Sequence, residues 1–227
     1  MAVNISAYKE LNTALDKQGV TLVAVSKTKP VEDIMELYNA GHRDFGENYV
    51  QELADKYQQL PKDIRWHFIG HLQRNKVKYI TPFVHLIHGV DSFNLLEEIN
   101  KQGLKKNRVV NCLLQIHIAE EETKFGLNEM ELENAIKAIQ IDGALKNIKT
   151  CGFMGMASFS KDMELVKNEF NYLKSLFDKN AHTQTTNFNL QNLSMGMSSD
   201  YTIAIEEGSN MVRIGSLLFG DRNYTVK

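Results

Sequence analysis

The feature that most constrains this chain is an alternation repeated eight times. A short apolar, largely β-branched run is followed each time by a segment with apolar residues at helical spacing. Short β-branched runs suit buried strands, and apolar residues recurring every three or four positions suit one face of a helix. Strands are expected at 21–26, 44–48, 65–70, 84–90, 109–118, 149–156, 188–194 and 210–215. A further helix, with Ile5, Tyr8, Leu11 and Leu15 on one face, precedes the first strand and stops at Gly19. Alternating strands and helices imply a parallel sheet with right-handed crossovers. Eight such units predict an α/β fold closed into a single-domain (β/α)8 barrel with an extra amino-terminal helix, spanning residues 1–227. An open doubly wound sheet is the rival, and it usually has fewer units.

Composition narrows the function. The formal net charge of −2, from 26 basic and 28 acidic residues, gives no field for nucleic acid or a membrane surface. Cys112 and Cys151 lie far apart inside apolar runs, without CxxC spacing, and are expected to be buried thiols in a reducing compartment. The start, Met1-Ala2-Val3-Asn4-Ile5, lacks the basic and apolar regions of a signal peptide, and no apolar run approaches membrane-spanning length. A cytoplasmic protein is expected, and a monomer.

In a barrel, functional residues gather at the carboxyl ends of the strands. The first strand, Leu22-Val23-Ala24-Val25, ends in Ser26-Lys27-Thr28, and Pro30 is expected at the first helical position. Lys27 therefore stands at the mouth of the barrel. A lysine in an apolar mouth loses solvation of its ammonium form and becomes a nucleophilic amine, able to form Schiff bases with carbonyl compounds. The bland alternative is a lysine snorkelling from a strand end.

Two other strand ends, Ser194-Met195-Gly196-Met197-Ser198 and Arg213-Ile214-Gly215-Ser216, combine glycine with hydroxyl residues and backbone N–H groups. Barrels bind phosphate in the loops after their seventh and eighth strands. Ser198 or Ser199 could instead merely cap a helix. Arg213 interrupts an apolar strand, so its guanidinium needs a partner: a carboxylate such as Glu47, Asp91 or Glu206, or a ligand's ring nitrogen or phosphate. His67 and His71, and His85 and His88, have ligand-like spacings, but no further cluster completes a site and no metal is expected. The run Arg74-Asn75-Lys76-Val77-Lys78 reads as a solvated helix face.

Five motifs, in order, resemble one family: VSKTKP at 25–30, FGENYVQE at 45–52, WHFIGHLQRNK at 66–76, SMGMSSDY at 194–201 and GSNMVRIGSLLFGDRNY at 208–224. They are similar to those of the YggS/PROSC family of pyridoxal phosphate homeostasis proteins, whose barrel is like the amino-terminal domain of alanine racemases. The resemblance implies pyridoxal 5'-phosphate held as an internal aldimine on Lys27, with Arg213 facing the pyridine nitrogen. It also implies Ser194, Gly215 and Ser216 at the phosphate and Asn48 near the ring. His117, where relatives often have asparagine, and Gly155-Met156, in place of an isoleucine-proline pair, depart from the family pattern.

Three functions are compatible with these residues: a non-catalytic carrier of pyridoxal phosphate, an amino-acid racemase, and a barrel enzyme using Lys27 on a phosphorylated metabolite. Aldol chemistry has no need of an arginine facing a pyridine nitrogen. Alanine racemases add a carboxy-terminal β-domain that supplies a tyrosine, whereas this chain is expected to end a few residues after its eighth strand, and neither Tyr201 nor Tyr224 replaces that tyrosine. The expected function is intracellular pyridoxal phosphate homeostasis without appreciable catalysis, buffering the cofactor or delivering it to dependent apo-enzymes.

Overall fold

A computed structural model describes residues 3–220 of the chain, apart from 122 and 142. Helix α1 (Ile5–Asp16) precedes β1 (Thr21–Val25), α2 (Val31–Asn39), β2 (Asp44–Glu47), α3 (Val50–Gln59) and β3 (Arg65–Phe68). A 3-10 turn at Arg74–Lys76 leads to α4 (Val77–Ile80), β4 (Leu86–Val90), α5 (Phe93–Lys105), β5 (Val110–Gln115) and α6 (Glu129–Gln140). Then follow β6 (Ile148–Met154), α7 (Met163–Ala181), β7 (Phe188–Met197), α8 (Tyr201–Glu206), β8 (Met211–Ile214) and α9 (Ser216–Phe219). The strands pair in parallel in chain order and β8 returns to β1, closing the expected (β/α)8 barrel. No described helix is long and apolar enough to cross a membrane.

Side-chain alternation along the strands makes two apolar layers. In β1, Leu22 and Ala24 join the large cluster beneath the helices, with Phe45, Trp66, Phe68 and Phe153. Val23 instead joins a smaller cluster with Leu86, Leu113, Cys151, Met154 and Met211, which fills the barrel itself. The same parity sorts the polar residues at the strand ends. Ser26 and Glu47 fall on the helix side, Lys27 and Asn48 on the barrel side.

Local signals fix most element ends. Asn128 and Glu131 form a reciprocal capping box at α6, Ser92 caps α5, and Gly19 at φ +68 turns the chain after α1. Pro30 sits one place earlier than expected, as the N-cap of α2, because its extended backbone (ψ 163) carries the turn after Thr28. The fourth strand starts at Leu86 rather than Val84, and the seventh runs on to Met197. Both cysteines are buried, and burial pushes the Cys112 thiol up to about 12. Glu122, Asp142 and Tyr224 lie outside the described residues.

Candidate functional site

The carboxyl ends of the strands enclose a cavity of about 630 Å³, within the size range of small-molecule sites. Lys27 after β1, Asn48 after β2, Arg213 in β8 and Gly215-Ser216 after it all line this cavity. Five of the six residues expected at the site are thus brought together. Ile69, Met156 and Phe159 supply apolar wall, and Phe159 is 93% exposed at the mouth.

The backbone under Lys27 is held from the helix layer. Lys56 of α3, itself buried, donates to the Ser26 carbonyl at 2.8 Å, to Glu47 Oε1 at 2.8 Å and to Glu52 Oε1 at 2.7 Å. Glu52 Oε1 also accepts from the Thr28 amide at 2.6 Å. Thr28 has φ +63, a left-handed conformation that β-branched residues seldom adopt, so the turn following Lys27 depends on this clamp. Ser26 Oγ donates to Glu47 Oε1 at 2.5 Å. Burial pushes the Glu47 carboxyl up to about 7, against the opposing pull of Lys56 and the Ser26 hydroxyl. Lys29 donates to the carbonyls of Phe219 and Gly220 at 2.7 and 3.3 Å, tying the first turn to the last described helix.

Arg213 is 4% exposed, yet the carboxylates considered from sequence are not what holds it. Its Nη1 donates to the Ser194 carbonyl at 2.8 Å and to Ser194 Oγ at 2.6 Å, and its Nη2 donates to the Gly155 carbonyl at 3.1 Å. Glu47 serves Lys56, and Asp91 accepts from or pairs with His71 at 2.9 Å. Burial pushes the guanidinium down to about 10, opposed by the Asp200 carboxylate, so it remains a cation at neutral pH.

Ser194, expected beside a phosphate, is fully buried and is not among the residues lining the cavity. Its hydroxyl sits between Arg213 and His88. The hydroxyls that reach the cavity wall are Ser198, Ser199 and Ser216. Ser198 is no helix cap: its Oγ accepts from the Gly215 amide at 3.3 Å, and the residue before α8 is Asp200, whose carboxylate accepts from the Met197 amide. The amides of Ser216 and Leu217 open α9 and have no acceptor within that helix. The two loops expected to meet a phosphate both reach the cavity, through Ser198, Ser199 and Ser216, while Ser194 lies beneath it.

Two further residues were not singled out for what they do. His88 Nε2 lies 2.9 Å from His67 Nδ1, and His67 Nε2 lies 3.1 Å from Asp44 Oδ1, deep in the barrel. The available signal was parity, because positions 67 and 88 fall on the barrel side of apolar strands. Read as metal-ligand spacing, the histidines were grouped along the chain rather than across it. His117 contacts the Glu121 carbonyl at 3.1 Å.

The chain matches the family described as alanine racemase, N-terminal domain, over residues 5–223. It is 44% identical over 204 residues to the pyridoxal phosphate homeostasis protein of Aquifex aeolicus, covering 89% of this chain and 87% of that one. The human protein of the same name is 38% identical over 216 residues, covering 91% and 78%. The structure of PipY from Synechococcus elongatus, with pyridoxal phosphate bound, superposes with a TM-score of 0.84 at 31% identity, covering 95% of this chain and 99% of that one. Alanine racemase from Streptomyces coelicolor shares the fold at a TM-score of 0.74 and 14% identity, with this chain spanning 60% of its length. By its barrel, its site and these likenesses, the chain belongs to the family of pyridoxal phosphate homeostasis proteins, built on the alanine racemase amino-terminal-domain fold.

Proposed function

We propose that this protein binds pyridoxal 5'-phosphate through a Schiff base with Lys27 and serves to hold and hand on the cofactor, without appreciable catalysis of its own. The observation that carries this reading is the convergence of Lys27, Arg213, Asn48 and the Ser198–Ser216 wall on one cavity. When bound, the cofactor supplies an aldehyde that condenses with an amine.

The residues fit such a group. Asn48 Oδ1 is buried with no partner among the described residues and lines the cavity, so a hydroxyl on the ligand ring would satisfy an otherwise costly orphan. Arg213 offers fixed N–H donors and keeps its charge, which suits an unprotonated ring nitrogen. Hydroxyls and amides at Ser198, Ser199 and Ser216 suit a phosphate. A Cβ at Gly215 would lie 3.3 Å from both the side chain and the carbonyl of Val25, so a larger residue would crowd that wall.

The test is direct. The purified full-length protein is titrated with pyridoxal phosphate, its absorption recorded, and the adduct reduced with borohydride and mapped by mass spectrometry. Modification of Lys27 supports the reading. A reduced adduct on another lysine, or none, overturns it.

A further inference from the structure

Arg213 and Asp44 stand at the two ends of a chain of buried contacts across the barrel. Arg213 Nη1 meets Ser194 Oγ at 2.6 Å, Ser194 Oγ meets His88 Nδ1 at 3.1 Å, His88 Nε2 meets His67 Nδ1 at 2.9 Å, and His67 Nε2 meets Asp44 Oδ1 at 3.1 Å. Ser194, His88 and His67 are each at most 1% exposed. Arg65 anchors the far end, with Nε donating to Asp44 Oδ1 at 2.6 Å and Nη2 to Oδ2.

The chemistry of the two ends fixes the direction of everything between them. A guanidinium can only donate, and a carboxylate can only accept. Hydrogen bonds from His67 and Arg65 outweigh the burial that would raise the Asp44 carboxyl, and hold it well below the usual carboxylate range. Burial, aided by the Arg213 guanidinium, pushes His88 well below the ordinary imidazole value. Ser194 Oγ takes a hydrogen from Arg213, so its own hydrogen goes to His88 Nδ1. His88 must then carry its proton on Nε2 and give it to His67 Nδ1, leaving His67 to donate from Nε2 to Asp44. The reverse arrangement needs both nitrogens of His67 protonated, and it turns two donors onto Ser194 Oγ while leaving that hydroxyl's hydrogen without an acceptor among these contacts.

We infer that Ser194, His88, His67 and Asp44 form one directional line of hydrogen bonds that aims the Arg213 guanidinium into the cavity, with His88 and His67, both as Nε2–H tautomers, acting as positioning residues for it. The role assigned to the line rests on the reading of the cavity as a pyridoxal phosphate site. The line itself does not. Arg213 has two carbonyls and one hydroxyl as its acceptors in the barrel, and the Asp44 anion is delivered to that hydroxyl through two imidazoles. Such chains polarise cooperatively, each acceptor strengthening its own donor.

Two measurements test this. In the full-length protein without added cofactor, long-range proton–nitrogen correlations of labelled histidine report each tautomer. His67 and His88 are expected as neutral Nε2–H forms; an Nδ1–H form of either, or a doubly protonated His67, overturns the line. In the second arm, His88→Leu is expected to weaken pyridoxal phosphate binding roughly tenfold, since a hydrogen bond to a charged group is involved. It should also shift the visible absorption band while the adduct stays on Lys27. His88→Asn, which keeps an acceptor facing Ser194, should restore most of both. Wild-type affinity and spectrum in folded His88→Leu would overturn the positioning role. Should that variant fail to fold, Ser194→Ala puts the same question, with the same two outcomes. If the wild-type protein takes up no pyridoxal phosphate, the cofactor reading and the positioning role fail together, while the tautomers still decide whether the line exists.

Discussion

Lys56 Nζ lies 2.8 Å from the carbonyl oxygen of Ser26, the residue immediately before Lys27. A buried cation on α3 thus supports the backbone from which the site's lysine projects, and it does so while neutralising Glu47 and Glu52.

Removing Lys56 should therefore be costly. Lys56→Met removes the donor shared by the Ser26 carbonyl, Glu47 and Glu52, and leaving a buried acceptor unpaired costs about 1–3 kcal/mol. The double variant Lys56→Met with Glu47→Gln removes both charges and should recover a large part of that loss. Urea denaturation of the two variants checks the difference; equal stabilities would show that Glu47 does not need the charge.

Glu47 also sets a pH dependence. Its folded value is raised to about 7, above the ordinary carboxyl value near 4.5, so the folded state binds its proton more tightly. Stability from this group is fully present below about pH 4.5 and is lost as the pH rises through about 7, with an upper bound of about 3 kcal/mol. Burial lowers His42, His85 and His88, which act in the opposite sense, losing stability as the pH falls below their ordinary value near 6.5. Melting curves of the wild type and Glu47→Gln from pH 5 to 8 isolate the carboxyl. The difference between them should change with pH; a constant difference would contradict it.

Ring and phosphate contacts should separate. Ser198→Ala and Ser216→Ala each remove a hydroxyl from the cavity wall and should weaken pyridoxal phosphate about tenfold, with little effect on pyridoxal. Ser194→Ala acts through Arg213 and should weaken both vitamers alike. Titrations of each variant with each vitamer give the ratio. A phosphate-selective loss in Ser194→Ala would return that serine to the phosphate.

Turnover with amino acids should be absent. Racemisation needs a base on each face of the substrate carbon, and among the described residues the titratable side chains lining the cavity are Lys27, Lys29 and Arg213. Arg213 is held by Ser194 and Gly155, and Lys29 by Phe219 and Gly220. Incubating the loaded protein with L-alanine in deuterated water should yield neither D-alanine nor α-deuterium. Exchange that disappears in Lys27→Ala would identify an enzyme instead.

The barrel was legible because its period is coarse. Eight apolar strands separated by amphipathic helices survive errors of one or two residues at each end, such as Pro30 or Val84. The placement of Lys27, Asn48, Arg213, Gly215 and Ser216 followed from the same count, since strand ends share one rim. Ser194, expected at the rim, lies beneath it because β7 runs on to Met197, with Gly196 at φ +91 and irregular pairing between Ser194 and Met197 on β8. A bulge of that kind moves a side chain from rim to interior and leaves no mark in hydrophobic periodicity. The His67–His88 contact was hidden for another reason. It joins neighbouring strands across the barrel interior, and spacing along the chain cannot report it.

The left-handed Thr28 has an entropic meaning. With its amide gripped by Glu52 and Ser26 gripped by Lys56, the main chain on both sides of Lys27 is pinned before any ligand arrives. Whatever enters the cavity then meets a turn already set, so the ordering entropy of that backbone is lost in folding and not again in binding.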